Sequence, residues 1–365
     1  MPRHICWVFI SLLLLSGCEP RAAHPGAERP KEFAVSASED TSLRREIAPD
    51  TAEHKGRSGF RLIATGKDAF LTRIAMVRMA ERGVDMQYYS VNNDRTAQAL
   101  LRELVLVADR GVRVRVLIDG LNIGKIDEIA SMMHAHPHME IRVFNPLTTV
   151  HKPFWTHVTH YVTEFDRFSK RMHNKTLIVD NQVAVLGGRN ISDHYFDASG
   201  DFNFNDMDVI TAGPITSQIS RSFDAYWNSA ETYTYDEITK SVPDKEEIQE
   251  VRHELDEKWE SVMQTSFGPI LKDLKPLDYL GKGKPLTWAP MELAVDRPDK
   301  INQEQEEADS APFQRLETLL DGATDAGDTA LRGPRRRSRA VDLPASQAQR
   351  IVRRHLGGSA LDILV

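Results

Sequence analysis

Three residues near the middle of the chain have the types and spacing needed to attack a phosphodiester. His173, Lys175 and Asp180 form the pattern H-x-K-x4-D. An imidazole is a nucleophile at neutral pH, and a lysine ammonium can hold the non-bridging oxygens of a phosphate as negative charge develops. Residues 176–179 have the composition of a short buried strand. Because side chains two positions apart on a strand face the same way, we expect His173 and Lys175 to project together.

The residues that follow this pattern could complete a phosphate site. A second apolar run, 183–186, leads to Gly187, Gly188, Arg189 and Asn190. The amide of Asn190 could donate a hydrogen bond to a phosphate, or it could be an ordinary turn residue. Gly188 would let a ligand approach the backbone closely, or would simply permit a tight bend. Asp180 likewise has two interpretations: it orients a catalytic group, or it accepts hydrogen bonds from backbone amides of the turn that it opens.

These residues closely resemble the signature of the phospholipase D superfamily. Further segments of roughly residues 59–320 are similar to the bacterial lipoprotein-like cardiolipin synthases, among them DMQYY (85–89), ADRGVRVRVLIDG (108–120), IRVFNP (141–146) and FDAYWNS (223–229). The resemblance implies a mixed sheet flanked by helices and glycerophospholipid substrates. It also implies that His173 forms a phosphohistidine and that Lys175 and Asn190 bind the phosphate, without a metal or other cofactor.

The apolar periodicity of the chain independently predicts an α/β fold. Helical spacing and strand-like runs alternate, which indicates a sheet with helices packed on it. The predicted helices are 69–82, 97–110 and 125–135, and the predicted strands are 84–89, 112–119 and 140–144. Residues 244–263 have the pattern of a solvated amphipathic helix with a structural role. We therefore expect residues 59–280 to form the catalytic domain.

The N-terminus predicts export and lipid attachment. The apolar run 5–15 is too short to span a bilayer but suits a signal-peptide core. Leu15-Ser16-Gly17-Cys18 matches a bacterial lipobox, so we expect a signal peptide over residues 1–17 and a lipid-modified Cys18. The alternative is a plain secretory signal with an incidental cysteine. Residues 18–58, which are rich in Ala, Pro, Glu, Arg and Ser, predict a flexible tether. The expected location is the bacterial cell envelope, with a lipid anchor in the membrane.

The C-terminal part predicts an incomplete second domain. Residues 281–323 are expected to start this domain, with a first strand over 287–296, and residues 324–365 are expected to form a disordered basic tail. The resemblance implies a second H-x-K-x4-D that supplies a general acid, but no other His-x-Lys occurs in this sequence. From Leu331 onwards the chain has Arg but neither Lys nor aromatic residues. This change of composition predicts a truncated, frameshifted form of a two-motif enzyme; the alternative is an ordinary basic tail.

Three functions remain open on sequence grounds. The first is a phosphatidyltransferase that is crippled by the loss of its second motif. The second is a homodimeric phosphodiesterase or nuclease that pairs two copies of one motif. The third is a catalytically silent lipoprotein that binds lipid or a partner synthase.

The charge and the histidine content of the chain limit the classes of ligand that we expect it to bind. The net charge is −7, and residues 331–365 hold eight Arg and two Asp, so the rest of the chain is more acidic than the whole. An acidic body disfavours nucleic-acid binding, which depends on Lys and Arg at phosphates.

His134, His136 and His138 suggest a metal site, but Pro137 interrupts them and we expect none. The aromatic segment 151–168 could line an acyl-chain groove or form a buried helix pair.

Overall fold

A computed structural model describes residues 29–38, 40–146, 171–239, 242–280 and 285–299 of the chain. Four predicted features lie outside the described residues: the signal peptide, Cys18, the aromatic segment 151–168 and the basic tail. Within the described ranges, no helix combines the length and apolar character that crossing a bilayer requires.

The strands of the described part form a single mixed sheet. They are β1 (Ser58–Ile63), β2 (Gly83–Tyr88), β3 (Arg113–Asp119), β4 (Met139–Phe144), β5 (Lys175–Val179), β6 (Val183–Gly187), β7 (Asp208–Ala212), β8 (Thr232–Thr234) and β9 (Thr287–Ala289). Their order across the sheet is β8-β4-β3-β2-β5-β6-β7-β1-β9. The strands β2, β3 and β4 are parallel to one another, and every other neighbouring pair is antiparallel.

Helices cover both faces of this sheet. They are α1 (Ser42–Glu53), α2 (Gly66–Met79), α3 (Arg95–Asp109), α4 (Asp127–His134), α5 (Pro214–Trp227), α6 (Tyr235–Ile238), α7 (Lys245–Met263) and α8 (Gly268–Lys272). Apolar side chains of α2, α3, α4 and α7 share one core with β2 and β3. The opposite face packs against α5. The predicted α/β class, a mixed sheet flanked by helices, is thus confirmed.

Local sequence signals explain where the elements begin and end. The side chain of Asp94 accepts the backbone N–H of Ala97 and so caps the N-terminus of α3. The chain leaves this helix through Gly111, whose φ of 87° favours glycine. Strand β2 is buried along its whole length, because helices cover both of its faces. The predicted helix 125–135 differs from the structure, in which a 3-10 turn over Ile123–Ile126 precedes α4.

The predicted flexible tether is wrong for its described residues. Thr41 caps α1, which places Leu43 and Ile47 in the main core with exposures of 0% and 6%. Upstream, the backbone N–H of Ala34 bonds to the carboxylate of Asp224 on α5. Composition pointed to disorder, but two apolar residues four positions apart give α1 a narrow apolar stripe that packs.

The predicted second domain is also wrong where the structure describes it. The strand β9 pairs antiparallel with β1, with Gly59 opposite Trp288, and so extends the first sheet. Farther on, the hydroxyl of Tyr226 on α5 donates to the carbonyl of Asp296 at 3.1 Å. The outer edge of β1 offers unpaired backbone N–H and C=O groups, and β9 satisfies them. Residues 285–299 therefore complete the first domain.

Candidate active site

The ends of four neighbouring strands meet at one edge of the sheet, the edge that runs across the strand ends. Strand β5 runs antiparallel to β2 and β6, so its N-terminal end lies beside their C-terminal ends. In the register of these strands, Lys175 pairs with Tyr88. This topology brings residues 171–175 next to the segments that leave β2, β3 and β6. The sequence-predicted His173 and Lys175 lie within residues 171–175, and Gly188 and Asn190 lie on the segment that leaves β6.

His173 and Lys175 contact each other at this edge. The ammonium nitrogen Nζ of Lys175 lies 3.0 Å from Nδ1 of His173 and also donates to the carbonyl oxygen of His173. An ammonium can only donate, so Nδ1 is the acceptor in this pair. Lys175 is buried, at 2% exposure, whereas His173 is half-buried. The prediction that the two side chains project together is confirmed, and an imidazole stands beside a cation.

Tyr89 completes the immediate surroundings of this pair. Its ring centroid lies 4.8 Å from that of His173, and Nζ of Lys175 lies 5.8 Å from the same ring. The ring therefore limits the movement of the imidazole and gives the ammonium a cation–π contact. Sequence reasoning did not assign Tyr89 to the site. Its position directly after the buried strand β2 was the available signal.

Asn190 lies at the same edge, as the phosphate-binding prediction requires. Its Oδ1 accepts the backbone N–H of Ser90 at 3.2 Å, which fixes the direction of the amide. Its Nδ2 makes a long hydrogen bond of 3.4 Å to the hydroxyl of Tyr195. Because that bond is weak, an incoming phosphate oxygen can compete for the Nδ2 hydrogens. The role of Asn190 in binding phosphate stays a prediction.

Gly188 lies where close packing requires a glycine, and its predicted substrate-binding role stays a prediction. A Cβ at Gly188 would overlap the carboxylate of Asp206, and one at Gly187 would overlap Asp208 and the carbonyl of Met207. The N–H of Gly188 donates to that same carbonyl at 3.2 Å. The glycines thus let the segment before β7 approach β6 closely, and the Gly188 amide already has a partner within the protein.

Asp180 is not at the site, so its predicted catalytic role is corrected. Its carboxylate accepts the backbone N–H groups of Glu81, Arg82 and Gly83, at 3.1, 2.8 and 3.0 Å. The five-residue strand β5 separates it from His173, a distance on the order of 17 Å. Burial raises the pKa of Asp180, and the three amide hydrogen bonds act against this rise. Of its two interpretations, the structure shows the one in which it binds backbone amides, although these belong to the segment entering β2.

Asp119 and Arg171 anchor the segment that leads into His173. Asp119, at the C-terminal end of β3, accepts from Nε and Nη2 of Arg171 at 2.8 and 2.6 Å. The same carboxylate accepts the backbone N–H of Met172 at 3.0 Å. Burial raises the pKa of Asp119, and Arg171 opposes the rise. Sequence reasoning missed both residues as parts of the site.

Comparisons with known proteins identify relatives of this chain. Residues 74–227 match the family described as "Cardiolipin synthase, PLD-like domain". Cardiolipin synthase C of Escherichia coli (strain K12) is 33% identical over 261 residues, which are 71% of this chain and 54% of that protein. An uncharacterized protein of Helicobacter pylori (strain 26695) is 34% identical over 221 residues, 60% of this chain and 43% of that protein.

Among solved structures, the phospholipase D family member Nuc from Salmonella typhimurium matches 49% of this chain and 98% of its own, with 16% identity and a TM-score of 0.35. The chain spans about half the length of the curated relatives that it matches.

Proposed function

Since the chain contains a phospholipase D-like domain over residues 74–227, we propose that it transfers a phosphatidyl group between glycerophospholipids, as a cardiolipin synthase does. The observation that carries this proposal is the 3.0 Å contact between Nζ of Lys175 and Nδ1 of His173. It supports a nucleophile that acts beside a cation suited to phosphate oxygens.

The first step is attack of His173 on the phosphorus of the donor lipid. A neutral imidazole that accepts at Nδ1 carries its proton on Nε2. When the phosphate oxygens take over the hydrogen bonds of Lys175, solvent water can take the proton from Nε2 and return one to Nδ1, which frees the lone pair of Nε2 for attack. Nε2 then forms the N–P bond while the P–O bond to the headgroup breaks, which leaves a phosphohistidine. Lys175 and Asn190 hold the phosphate oxygens.

The second step regenerates the free imidazole of His173 and forms the product. A hydroxyl of a second glycerophospholipid attacks phosphorus, the N–P bond breaks, and the electron pair of that bond returns to Nε2. A general acid must protonate the first leaving alkoxide, and as a base it must later take the proton of the incoming hydroxyl. His173 is the sole histidine in an H-x-K pattern in this sequence. We therefore propose that His173 of a second copy fills this role, in a dimer that pairs two sites.

An assay on purified protein with phosphatidylglycerol in mixed micelles tests the chemistry. His173→Ala should abolish transfer and hydrolysis, and Lys175→Ala should reduce both about 100- to 1000-fold. The controls are His253→Ala and Lys258→Ala, which alter exposed positions on α7 and should retain wild-type rates. Specific activity should rise with protein concentration as dimers form. Full activity in His173→Ala would contradict the mechanism, as would chelator inhibition that added metal reverses.

We also propose that the protein is anchored to the membrane through Cys18. The support is the Leu15-Ser16-Gly17-Cys18 sequence after an apolar run of signal-peptide length. One acyl chain gives only marginal membrane binding, so firm anchoring would require more than one chain on this residue. Such an anchor would keep the active site at a lipid surface, where glycerophospholipids are concentrated.

A further inference from the structure

Lys125 provides a second positive charge close to the candidate active site. It lies in the 3-10 turn that follows β3, and its Nζ donates to Oγ of Ser90 and to Oδ1 of Asn92, both at 3.1 Å. Both acceptors are neutral. Throughout the part of the chain that the structure describes, no carboxylate lies within 4.0 Å of this ammonium. Its charge is therefore oriented by hydrogen bonds without being neutralised.

The other cations near this edge are engaged differently. Arg171 is paired with Asp119 at 2.6 Å, and Arg95 is paired with Asp193 at 3.3 Å. Lys175 is held against His173, where it serves the reacting phosphate in the proposed mechanism. An ammonium has three N–H donors, and the two described bonds of Lys125 use two of them. Lys125 thus has both the charge and a remaining donor with which to bind an anion.

Ser90 connects Lys125 to the predicted phosphate ligand. Its backbone N–H donates to Oδ1 of Asn190, while its side-chain oxygen accepts from Lys125. The preceding residue, Tyr89, contacts the ring of His173. One short segment after β2 therefore touches the nucleophile, the amide of Asn190 and Lys125, so a second anion at Lys125 would lie next to a phosphate bound at His173.

Asn92 presents an oxygen to Lys125 because its amide is oriented. Its Nδ2 donates to Oγ of Ser192 at 3.2 Å, which turns Oδ1 towards the ammonium. This hydrogen bond joins the segment after β2 to the segment after β6. Both acceptors of Lys125 thus lie on the segment after β2, and Ser192 ties that segment to the one after β6.

We infer that Lys125, Ser90 and Asn92 form a second anion subsite, which binds the phosphate of the acceptor glycerophospholipid. This inference rests on the proposed function. Transfer between two glycerophospholipids brings a second phosphodiester close to the one that reacts, and two like charges at such a distance repel each other. A cation held by neutral groups beside Asn190 offsets this repulsion. It also favours an acceptor that carries a phosphate over water or a simple alcohol.

Binding measurements test the subsite without turnover. The probe is dihexanoylphosphatidylglycerol, titrated by calorimetry at constant ionic strength into the full-length His173→Ala protein and into the same protein with Lys125→Gln. Loss of a charge-assisted hydrogen bond should weaken binding about 10- to 100-fold. Lys125→Arg should restore part of the affinity, and the exposed control Lys258→Gln should leave it unchanged. Equal affinity with and without Lys125→Gln would overturn the inference.

A second arm separates a lipid phosphate from free phosphate. Inorganic phosphate is titrated into the same two proteins and should bind much more weakly than the lipid, because it makes no contacts through a glycerol or acyl chain. Inorganic phosphate that binds as tightly as the lipid, with the same dependence on Lys125, would contradict an acceptor-lipid subsite. Neutral dihexanoylglycerol should show no dependence on Lys125.

Kinetics distinguish failure of the subsite from failure of the proposed function. In the active protein, Lys125→Gln should lower transfer to phosphatidylglycerol at least about tenfold more than it lowers hydrolysis, mainly through a higher KM for the acceptor. Equal losses in both reactions would overturn the subsite and leave phosphatidyl transfer intact. Suppose instead that lipid binding depends on Lys125 but the wild-type protein makes no phosphatidyl product. That result would support the subsite and overturn the proposed function.

Discussion

The carboxylate of Asp119 binds the guanidinium of Arg171 at 2.6 and 2.8 Å, and it also accepts the backbone N–H of Met172. One buried side chain at the end of β3 thereby fixes two successive residues directly before His173. The direction in which the imidazole leaves the backbone depends on a strand about 50 residues earlier in the chain.

We expect Asp119→Asn to destabilise the protein and to lower its activity. The substitution keeps the shape but leaves Arg171, whose side chain is 7% exposed, without its counter-charge. Removal of one partner of a buried ion pair typically costs about 3–5 kcal/mol. Urea unfolding measures the loss, and kcat should fall together with it. The matched control is Asp256→Asn, which breaks a solvent-exposed pair with Arg102 and should cost at most about 1 kcal/mol. Equal effects of the two substitutions would contradict the proposed anchoring.

Asp180→Asn should lower stability and spare the chemistry. The substituted side chain would present an N–H group to the amides of Glu81, Arg82 and Gly83, so hydrogen bonds to a buried acceptor are lost. This loss should lower the free energy of unfolding by about 1–3 kcal/mol. Under conditions where the variant is folded, kcat/KM should stay within about threefold of wild type, because Asp180 lies at the far end of β5. A loss as large as that of His173→Ala, in a variant that circular dichroism shows to be folded, would restore a catalytic role.

The sequence was sufficient for features that depend on local spacing. Alternation of helix and strand follows from periodicity. The two-residue repeat of an extended chain predicted that His173 would meet Lys175, although β5 begins only at Lys175. The role of Asp180 was not decidable, because its partners lie about 100 residues earlier. Tyr89 and Lys125 belong to the site only because the strand order places the ends of β2, β3 and β5 together.

The prediction from composition was wrong where a few apolar residues determine the packing. The predicted tether has an overall polar composition, yet Leu43 and Ile47 are buried in the core. The strand at Thr287–Ala289 was correctly expected near its position but was assigned to the wrong sheet, because sequence does not show that one edge of β1 is unpaired. The second error concerns a long-range partner, which no local pattern encodes.

The bond between Asp109 and Arg252 should make a small, pH-dependent contribution to stability. Two hydrogen bonds of 3.0 Å from Arg252 lower the pKa of Asp109, and His136 adds to this effect. Because the folded-state pKa lies below the unfolded-state value of about 4, the stabilisation is complete above that value and disappears as the pH falls through the folded-state pKa. Both side chains are partly exposed, so Arg252→Ala should cost at most about 1 kcal/mol near neutral pH. Urea unfolding at neutral and strongly acidic pH should show the difference from wild type shrinking on acidification; a difference that is independent of pH would contradict this.

Cys18→Ala should prevent membrane attachment if the proposed anchor is correct. The variant should accumulate as unprocessed precursor and take up no labelled fatty acid, because the acceptor thiol is missing. Cys6→Ala is the matched control, since this cysteine lies within the predicted signal peptide and should leave labelling intact. Metabolic labelling followed by membrane fractionation gives both readouts. Wild-type protein that is bound to membranes without a label on Cys18 would exclude the anchor.

Gly188→Ala tests whether the glycine serves packing or substrate. The added methyl group would overlap the carboxylate of Asp206, and overpacking of this kind typically costs about 1–3 kcal/mol. If packing against Asp206 is the reason for the glycine, Asp206→Ala should remove most of that cost in the double variant. Urea unfolding of the wild type, both single variants and the double variant gives the coupling energy, which should be favourable and of similar size. A substrate role predicts a different outcome: the two substitutions would have additive effects on stability, and KM for the donor lipid would rise in Gly188→Ala whether or not Asp206 is present.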